Sequence, residues 1–432
     1  MRRTNNLSRR QFLKVGAGVT AGAATLAALG PSAVLAAPPA GKGGRLIPAG
    51  KVGTITYTQR DVPGRVGIAA SAALGTSPTM GYLGGPNFPA DPDDLGPLVP
   101  LPGGWRELFE FLAKAGYKQI EFAGYGQNAN NPGGTASYGS SATARANYLA
   151  YATRLRGLLD EFGLKAIGNH GFIPGTWFGP SSAGGTMSAA HELQYLTELE
   201  FASILGMAYM GTGSDPTSAN NRNLEPWTVA GEKWEALNEL SINSFGIQLY
   251  PHNHSPAYNF LQDGPMVEIT EHRVTGEPIT PTMVRGESGK RLMEYYLEIT
   301  HPDLCVIELD IYWAHVAQHQ HRWYYDHEGK RQERIFDPLA LVASQTKRFA
   351  LYHAKDGDRT EQAPGVGNGY NMIPFGDPTS DIDFGTFFKN QGAKGFHNPN
   401  YEQNNAPGGG SDPGRSLRFS LLSAANMTAL RG

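Results

Sequence analysis

Short apolar runs alternate with amphipathic stretches along most of this chain. The apolar runs predict strands over 52–58, 117–123, 164–170, 207–213, 246–252, 304–310, 348–354 and 394–402. Between them lie helical patterns. The stretch 105–116 places Leu108, Phe109, Leu112 and Ala113 on one stripe, 144–163 and 188–206 carry similar spacing, and Gly116 and Gly163 stop the first two. A strand that repeatedly hands over to a helix predicts a parallel sheet, and eight such units is the number that closes an α/β barrel. The expected fold is therefore a single (β/α)8 TIM barrel.

Three long insertions interrupt the alternation. Residues 62–104 are dense in Gly and Pro, 263–289 has a polar centre reading TEHRVTGEPITPT, and 319–336 contains YYDHEGKRQERI around Glu328 and Gly329. The last two read as hairpins. All three follow strands, so in a barrel they would sit on the C-terminal face above the site. For 62–104 an ordered lid and a disordered surface insertion both remain open.

The N-terminus reads as an address. Ser8, Arg9, Arg10, Gln11, Phe12, Leu13 and Lys14 precede a weakly apolar Ala/Gly run and then VLAAPPA, which resembles a twin-arginine export signal. The alternative is an N-terminal membrane anchor, but the run over 15–36 is rich in Gly, Ala and Thr. The expected organisation is a signal peptide over 1–36, a tether over 37–50 and the barrel over 51–432, exported to a secreted, periplasmic or cell-surface location. Cleavage after Ala36 removes five positive charges and no acid, so the formal charge goes from −3 to −3 − 5 = −8. The expected partners are the export machinery and a small carbohydrate, with no stable membrane span in the mature chain and the oligomeric state open. A chain with no basic excess lacks the clustered Lys and Arg that phosphate neutralisation needs, which argues against nucleic acid as a partner. Cys305 is the one cysteine, so no internal disulfide forms.

Polar residues gather where the strands end. Glu121, His170, His252 with His254, Glu308 with Asp310, His353 with Lys355 and Asp356, and Glu402 close successive runs. Barrel strands converge at one mouth, so these residues become a compact shell of nitrogen and oxygen donors. Imidazole and carboxylate without thiolate suit a divalent ion: Mn, Zn, Co, Ni or Fe, with Mg also open.

The runs GIQLYPHNH at 246–254, CVIELDIYWAHVA at 305–317, RFALYHAKD at 348–356, GVGNG at 365–369 with DIDF at 381–384, and YEQN at 401–404 before SLRFSLLSAANM at 416–427 resemble the sugar phosphate isomerase/epimerase family. YTQRD at 57–61 and IEFAGYG at 120–126 are similar to its first two strand signatures. The resemblance implies a xylose-isomerase-like barrel, related to inosose dehydratases, ketose 3-epimerases and AP endonucleases. It also implies a divalent metal held at the ends of strands five to eight, which here match His252, Asp310, His353 and Glu402, with His254 competing for the first place. Two features depart from the pattern. The fifth-strand ligand is Glu in the epimerases, and HNPN at 397–400 puts a proline where a buried strand is expected.

A metal that chelates two adjacent sugar oxygens acidifies the neighbouring C–H and lets a carboxylate remove the proton. Glu402 is the candidate base, and His170, Glu121 and Glu308 are candidate acids. Glu308 shares a strand face with Asp310 and could orient a ligand or pair with Lys355. Lys355 and Asp356 could bind substrate or anchor the seventh strand. Glu121, His254, Trp313 and Asp356 complete the candidate substrate contacts, and Tyr312 and Trp177 could stack on a sugar or simply pack. No Gly-rich phosphate loop with an adjacent lysine follows the seventh or eighth strand, so an unphosphorylated sugar is expected. The expected activity is isomerisation or epimerisation. A lyase or hydrolase of keto-sugar derivatives such as 3-keto-glycosides, and a non-catalytic carbohydrate-binding barrel, are the alternatives.

Overall fold

The computed structural model describes residues 44–125, 138–177, 186–345, 347–360, 362–392 and 398–432. The signal over 1–36, the first half of the tether over 37–43, and residues 394–397 of the eighth predicted run lie outside the described residues.

Eight short strands form the framework: β1 (Gly53–Ile55), β2 (Gln119–Phe122), β3 (Lys165–Asn169), β4 (Tyr209–Gly211), β5 (Gln248–Tyr250), β6 (Ile307–Asp310), β7 (Phe349–Ala354) and β8 (Pro399–Tyr401). Each falls inside its predicted run. Six of them pair in parallel in the order β6, β7, β8, β1, β2, β3, and β4 pairs in parallel with β5. Two single parallel bridges join these sheets, His170 with Gly211 between β3 and β4, and His252 with Glu308 between β5 and β6. Every strand thus neighbours the next in sequence, and the sheet closes into an α/β barrel. Each closing bridge includes a residue singled out above for its chemistry, His170 in the first and both His252 and Glu308 in the second.

The helices form where the apolar spacing puts them. Gly104–Ala115 buries Trp105, Leu108, Phe109 and Leu112, and the Gly116 cap at φ 106° returns its N–H to the carbonyls of Ala113 and Leu112. That left-handed cap is why a glycine ends the helix. Leu108, Phe109 and Leu112 are fully buried, each worth about 1.5–3 kcal/mol on transfer from water. Ala142–Glu161 starts on the Ser141 side chain, which accepts from the Ala144 N–H, and Ala189–Leu205 starts likewise on Ser188.

The insertions carry their own structure. Residues 62–104 contain a helix, Ile68–Leu74, and an antiparallel pair, Met80–Tyr82 with Leu98–Pro100, so this stretch is built rather than featureless. The other two are the expected hairpins, Met266–Glu271 with Pro278–Arg285 and Trp323–Tyr325 with Arg331–Glu333. They interlock, because Arg331 donates to the Arg273 and Val274 carbonyls and Tyr325 Oη donates to the Glu271 carbonyl at 2.6 Å. A further hairpin that the pattern did not predict, Asp356–Arg359 with Tyr370–Ile373, follows β7.

Proline in the eighth run proves compatible with a strand because of register. Pro399 opens β8, and the Tyr352 N–H of the neighbouring strand bonds to the Asn398 carbonyl, so the missing proline N–H interrupts nothing. Glu402 then follows directly at the mouth.

Candidate metal centre

Side chains two residues apart on a strand share a face, and this rule builds the site in two layers. Tyr250 and His252, Glu308 and Asp310, His353 and Lys355, and Asn400 and Glu402 are four such pairs, and all eight side chains are buried. Glu121 joins the lower layer, with Oε1 accepting from Tyr250 Oη at 2.6 Å and Oε2 from Asn400 Nδ2 at 2.9 Å.

Glu308 is the hub. Its Oε2 lies 2.9 Å from His170 Nε2 and 3.2 Å from His252 Nδ1, and its Oε1 lies 3.2 Å from His353 Nε2. Glu121 stands behind two of these rings, 3.3 Å from His170 Nε2 and 3.2 Å from His353 Nε2. Above this level, His353 Nδ1 meets Glu402 Oε2 at 2.7 Å, and Asp310 Oδ2 lies 3.7 Å from both His353 Nδ1 and His252 Nε2. Lys355 Nζ sits between the two upper carboxylates, 2.5 Å from Asp310 Oδ2 and 2.6 Å from Glu402 Oε2. The second oxygen of Asp310 accepts the Trp313 N–H at 2.9 Å and so caps the helix Ile311–Gln320, while Asn253 brackets the Asp310 backbone.

Two donor groups result. His170, His252, Glu308 and His353 offer atoms all within 4.8 Å of one another, as do Asp310, His353 and Glu402, with His353 common to both. The residues fit a divalent cation on two counts. Four buried carboxylates face one ammonium and three imidazoles, so with neutral rings the cluster carries an excess of negative charge that burial makes costly unless protons or a cation offset it. In addition, Glu308 Oε1, Asp310 Oδ2, His353 Nδ1 and Glu402 Oε2 are buried without an aligned hydrogen bond, although each lies within ion-pair range of a neighbour.

The same crowding sets the charges. Burial pushes His170 down, but Glu121 and Glu308 outweigh it and lift the ring to about 9. Burial likewise opposes His353, which Glu308, Glu402 and Glu121 hold well above the usual histidine range. His252 goes the other way: burial and the neighbouring His353, His254 and His170 keep it neutral. Burial would raise Glu402 and Glu121, yet Lys355 with His353 holds the first, and His353 with His170 the second, well below the carboxylate range. Burial and the Glu121 charge raise Glu308. Lys355 is raised because Asp310 and Glu402 outweigh its desolvation.

His170 is the most accessible of the ring donors, with a side chain 17% exposed. His254 sets its ring edge-on to His252 at 5.0 Å and Trp313 meets His254 at 5.5 Å. Beside them opens a cleft of about 520 Å³ lined by Thr212, Ser214, Asp215, Lys233, Trp234 and His254, among others. Asp215 accepts the His254 N–H at 2.8 Å and burial raises it to about 7.

Not every predicted role survives. Asp356 is buried away from the cluster, accepting from the Gly357 and Gly376 N–H groups and Ser380 Oγ, so it locks the loop after β7. Glu121 is fully enclosed beneath the histidines. Glu308 faces three imidazoles, and the partners of Lys355 are Asp310 and Glu402 instead. Trp177 is a core residue, and Tyr312 is buried with Oη bonded to the Tyr370 carbonyl. Sequence reasoning passed over Tyr250 and Asn400. Their signal was the two-residue spacing to His252 and Glu402. Lys233 and Asp215 had no such signal, since the cleft is made by loop packing.

Residues 6–27 match the family description "TAT (twin-arginine translocation) pathway signal sequence". The chain carries an export signal for the twin-arginine route. No curated protein matches the chain. Among solved structures, a sugar phosphate isomerase/epimerase from Parabacteroides distasonis is 18% identical, covers 92% of this chain and 98% of its own, and superposes with a TM-score of 0.49. A probable 3-DHS dehydratase from Bacillus anthracis is 10% identical over 73% of this chain and 91% of its own, at a TM-score of 0.43. A xylose isomerase domain protein from Alicyclobacillus acidocaldarius is 12% identical over 74% and 94%, at 0.41. The barrel assigned above rests on this chain's own strand order. Among the described residues no helix is long and apolar enough to cross a membrane.

Proposed function

We propose that this exported protein is a divalent-metal-dependent isomerase or epimerase acting on an unphosphorylated sugar or keto-sugar by proton transfer at carbon. The observation that carries the reading is the gathering of four buried carboxylates around His170, His252 and His353 at the barrel mouth, with donor atoms that fall within 4.8 Å of one another. A divalent ion held within that cluster supplies Lewis-acid polarisation of a carbonyl and its neighbouring hydroxyl.

The chain's own groups do the rest. Glu402 is held ionised by Lys355 and His353, as a base at a substrate C–H must be, and its side chain is only 6% exposed, which keeps bulk water from competing for the proton. Lys355 holds a proton 2.6 Å from the same carboxylate and can return it to the other face of a planar intermediate or to a leaving oxygen. His170 stands at the rim of the cluster, its side chain 17% exposed. The Trp313 ring, half-buried beside His254 and Lys355, offers an apolar face to a sugar ring.

Incubation with neutral ketoses in deuterated water tests the reading. Solvent deuterium at a substrate carbon supports it. Release of an aglycone from a 3-keto-glycoside without such exchange replaces it with a lyase or hydrolase, and tight binding without turnover replaces it with a carbohydrate-binding barrel. Much faster turnover of phosphorylated ketoses would overturn the neutral-substrate assignment alone.

A further inference from the structure

We propose that the ion is held by His170, His252, His353 and Glu308, and that Lys355 takes the cation's place between Asp310 and Glu402. This rests on the metal-dependent reading above and departs from the ligand set that the family resemblance implies, replacing Asp310 and Glu402 with His170 and Glu308.

Four observations converge on it. First, the three imidazole nitrogens stand 2.9, 3.2 and 3.2 Å from Glu308 oxygens. Ligands at about 2.0–2.1 Å in a tetrahedral shell are about 3.3 Å apart, and these donor atoms already lie within 4.8 Å of one another, so a modest contraction would close them on an ion. Second, the two nitrogens of His353 are divided. Nδ1 faces Glu402 at 2.7 Å and Nε2 faces Glu308 and Glu121, which is the arrangement of a ligating imidazole steadied from behind by a carboxylate. Third, the alternative site is filled from within. The Lys355 ammonium bridges Asp310 Oδ2 and Glu402 Oε2, and an ion placed there must first displace it. Fourth, Asp310 is already engaged through Oδ1 as the cap of the following helix.

Chemical selectivity follows. Three imidazoles and one carboxylate favour Zn, Co, Ni or Fe over Mg or Ca, which prefer oxygen. The division also leaves Glu402 and Lys355 free to exchange protons with substrate beside the ion rather than binding it.

Pulsed electron paramagnetic resonance of the Cu(II)-loaded full chain counts coordinated imidazoles without any substitution. Three are expected, and two or fewer would overturn the assignment. In parallel, isothermal titration of metal-free protein with Zn or Co measures affinity for His170→Gln, Asp310→Asn and Lys355→Met. The His170 variant is expected to lose at least about 100-fold, whereas the other two stay within about tenfold of the parent. The reverse pattern, with Asp310→Asn losing the metal and His170→Gln keeping it, would move the ion to the Asp310 group and leave metal dependence standing. Failure of the unsubstituted chain to bind any of these ions would sink the metal-dependent reading itself. Circular dichroism of each variant separates lost ligation from lost fold.

Discussion

His252 and Glu308 meet twice. Their backbones form the parallel bridge that joins β5 to β6, and their side chains touch at 3.2 Å in the centre of the donor cluster. Closure of the cylinder and assembly of the site are therefore one contact, and whatever occupies the cluster should be felt by the fold.

Metal loading should raise the melting temperature of the full chain, and chelation should lower it. An ion that binds only the folded state contributes about 2.7 kcal/mol at a hundredfold excess over its dissociation constant. Scanning calorimetry at increasing Zn or Co checks this, and a midpoint that ignores the metal would refute it.

Lys355→Ala should destabilise the apo protein by about 3–5 kcal/mol, because Asp310 and Glu402 would be left buried without their common counter-charge. Lys355→Ala combined with Asp310→Asn and Glu402→Gln should recover most of that loss. Urea unfolding of the two proteins in chelator measures the difference. Turnover should be lost in both.

Glu198 gives a prediction remote from the site. It is buried on the helix Ala189–Leu205, accepts from Tyr148 Oη at 2.9 Å, and burial raises it to about 7. A carboxyl whose folded value exceeds its unfolded value of about 4.5 favours the fold fully below that pH. The advantage then drains away as pH rises to about 7, at about 1.4 kcal/mol per unit. Glu198→Gln should therefore gain on the parent by about 2–3 kcal/mol between pH 5 and pH 8. Equal pH dependence in the two unfolding curves would show that Glu198 ionises normally.

The cleft beside His254 offers one cation. Lys233 lies 5.5 Å from the Trp234 ring centre and burial lowers its pKa. Lys233→Met should raise KM about tenfold and leave kcat unchanged, the mark of binding shared by ground and transition states. An unchanged KM would place substrate elsewhere on the mouth.

Asp356→Ala should cost about 2–3 kcal/mol, since three donors lose their acceptor at once, without altering metal affinity. Parallel unfolding and metal titration distinguish this loop-locking role from the substrate contact expected of its place beside Lys355.

The alternation of apolar runs and amphipathic stretches marked out all eight strands, because a strand buried on both faces reads as a short apolar run while a helix against the sheet repeats its apolar positions every 3.6 residues. The two-residue alternation of side chains along a strand placed Glu308 beside Asp310 and His353 beside Lys355 on one face, and the residue types supplied the donors. The export signal needed no fold at all. What the period cannot encode is which neighbour a side chain meets across a closed cylinder. His353 touches Glu121 over 232 positions and Asn400 reaches Glu121 over 279, and Asp356 turns outward one residue beyond Lys355. Those meetings depend on closure and on packing around each ring, so only the tertiary structure could seat Lys355 between Asp310 and Glu402 and gather three histidines about Glu308.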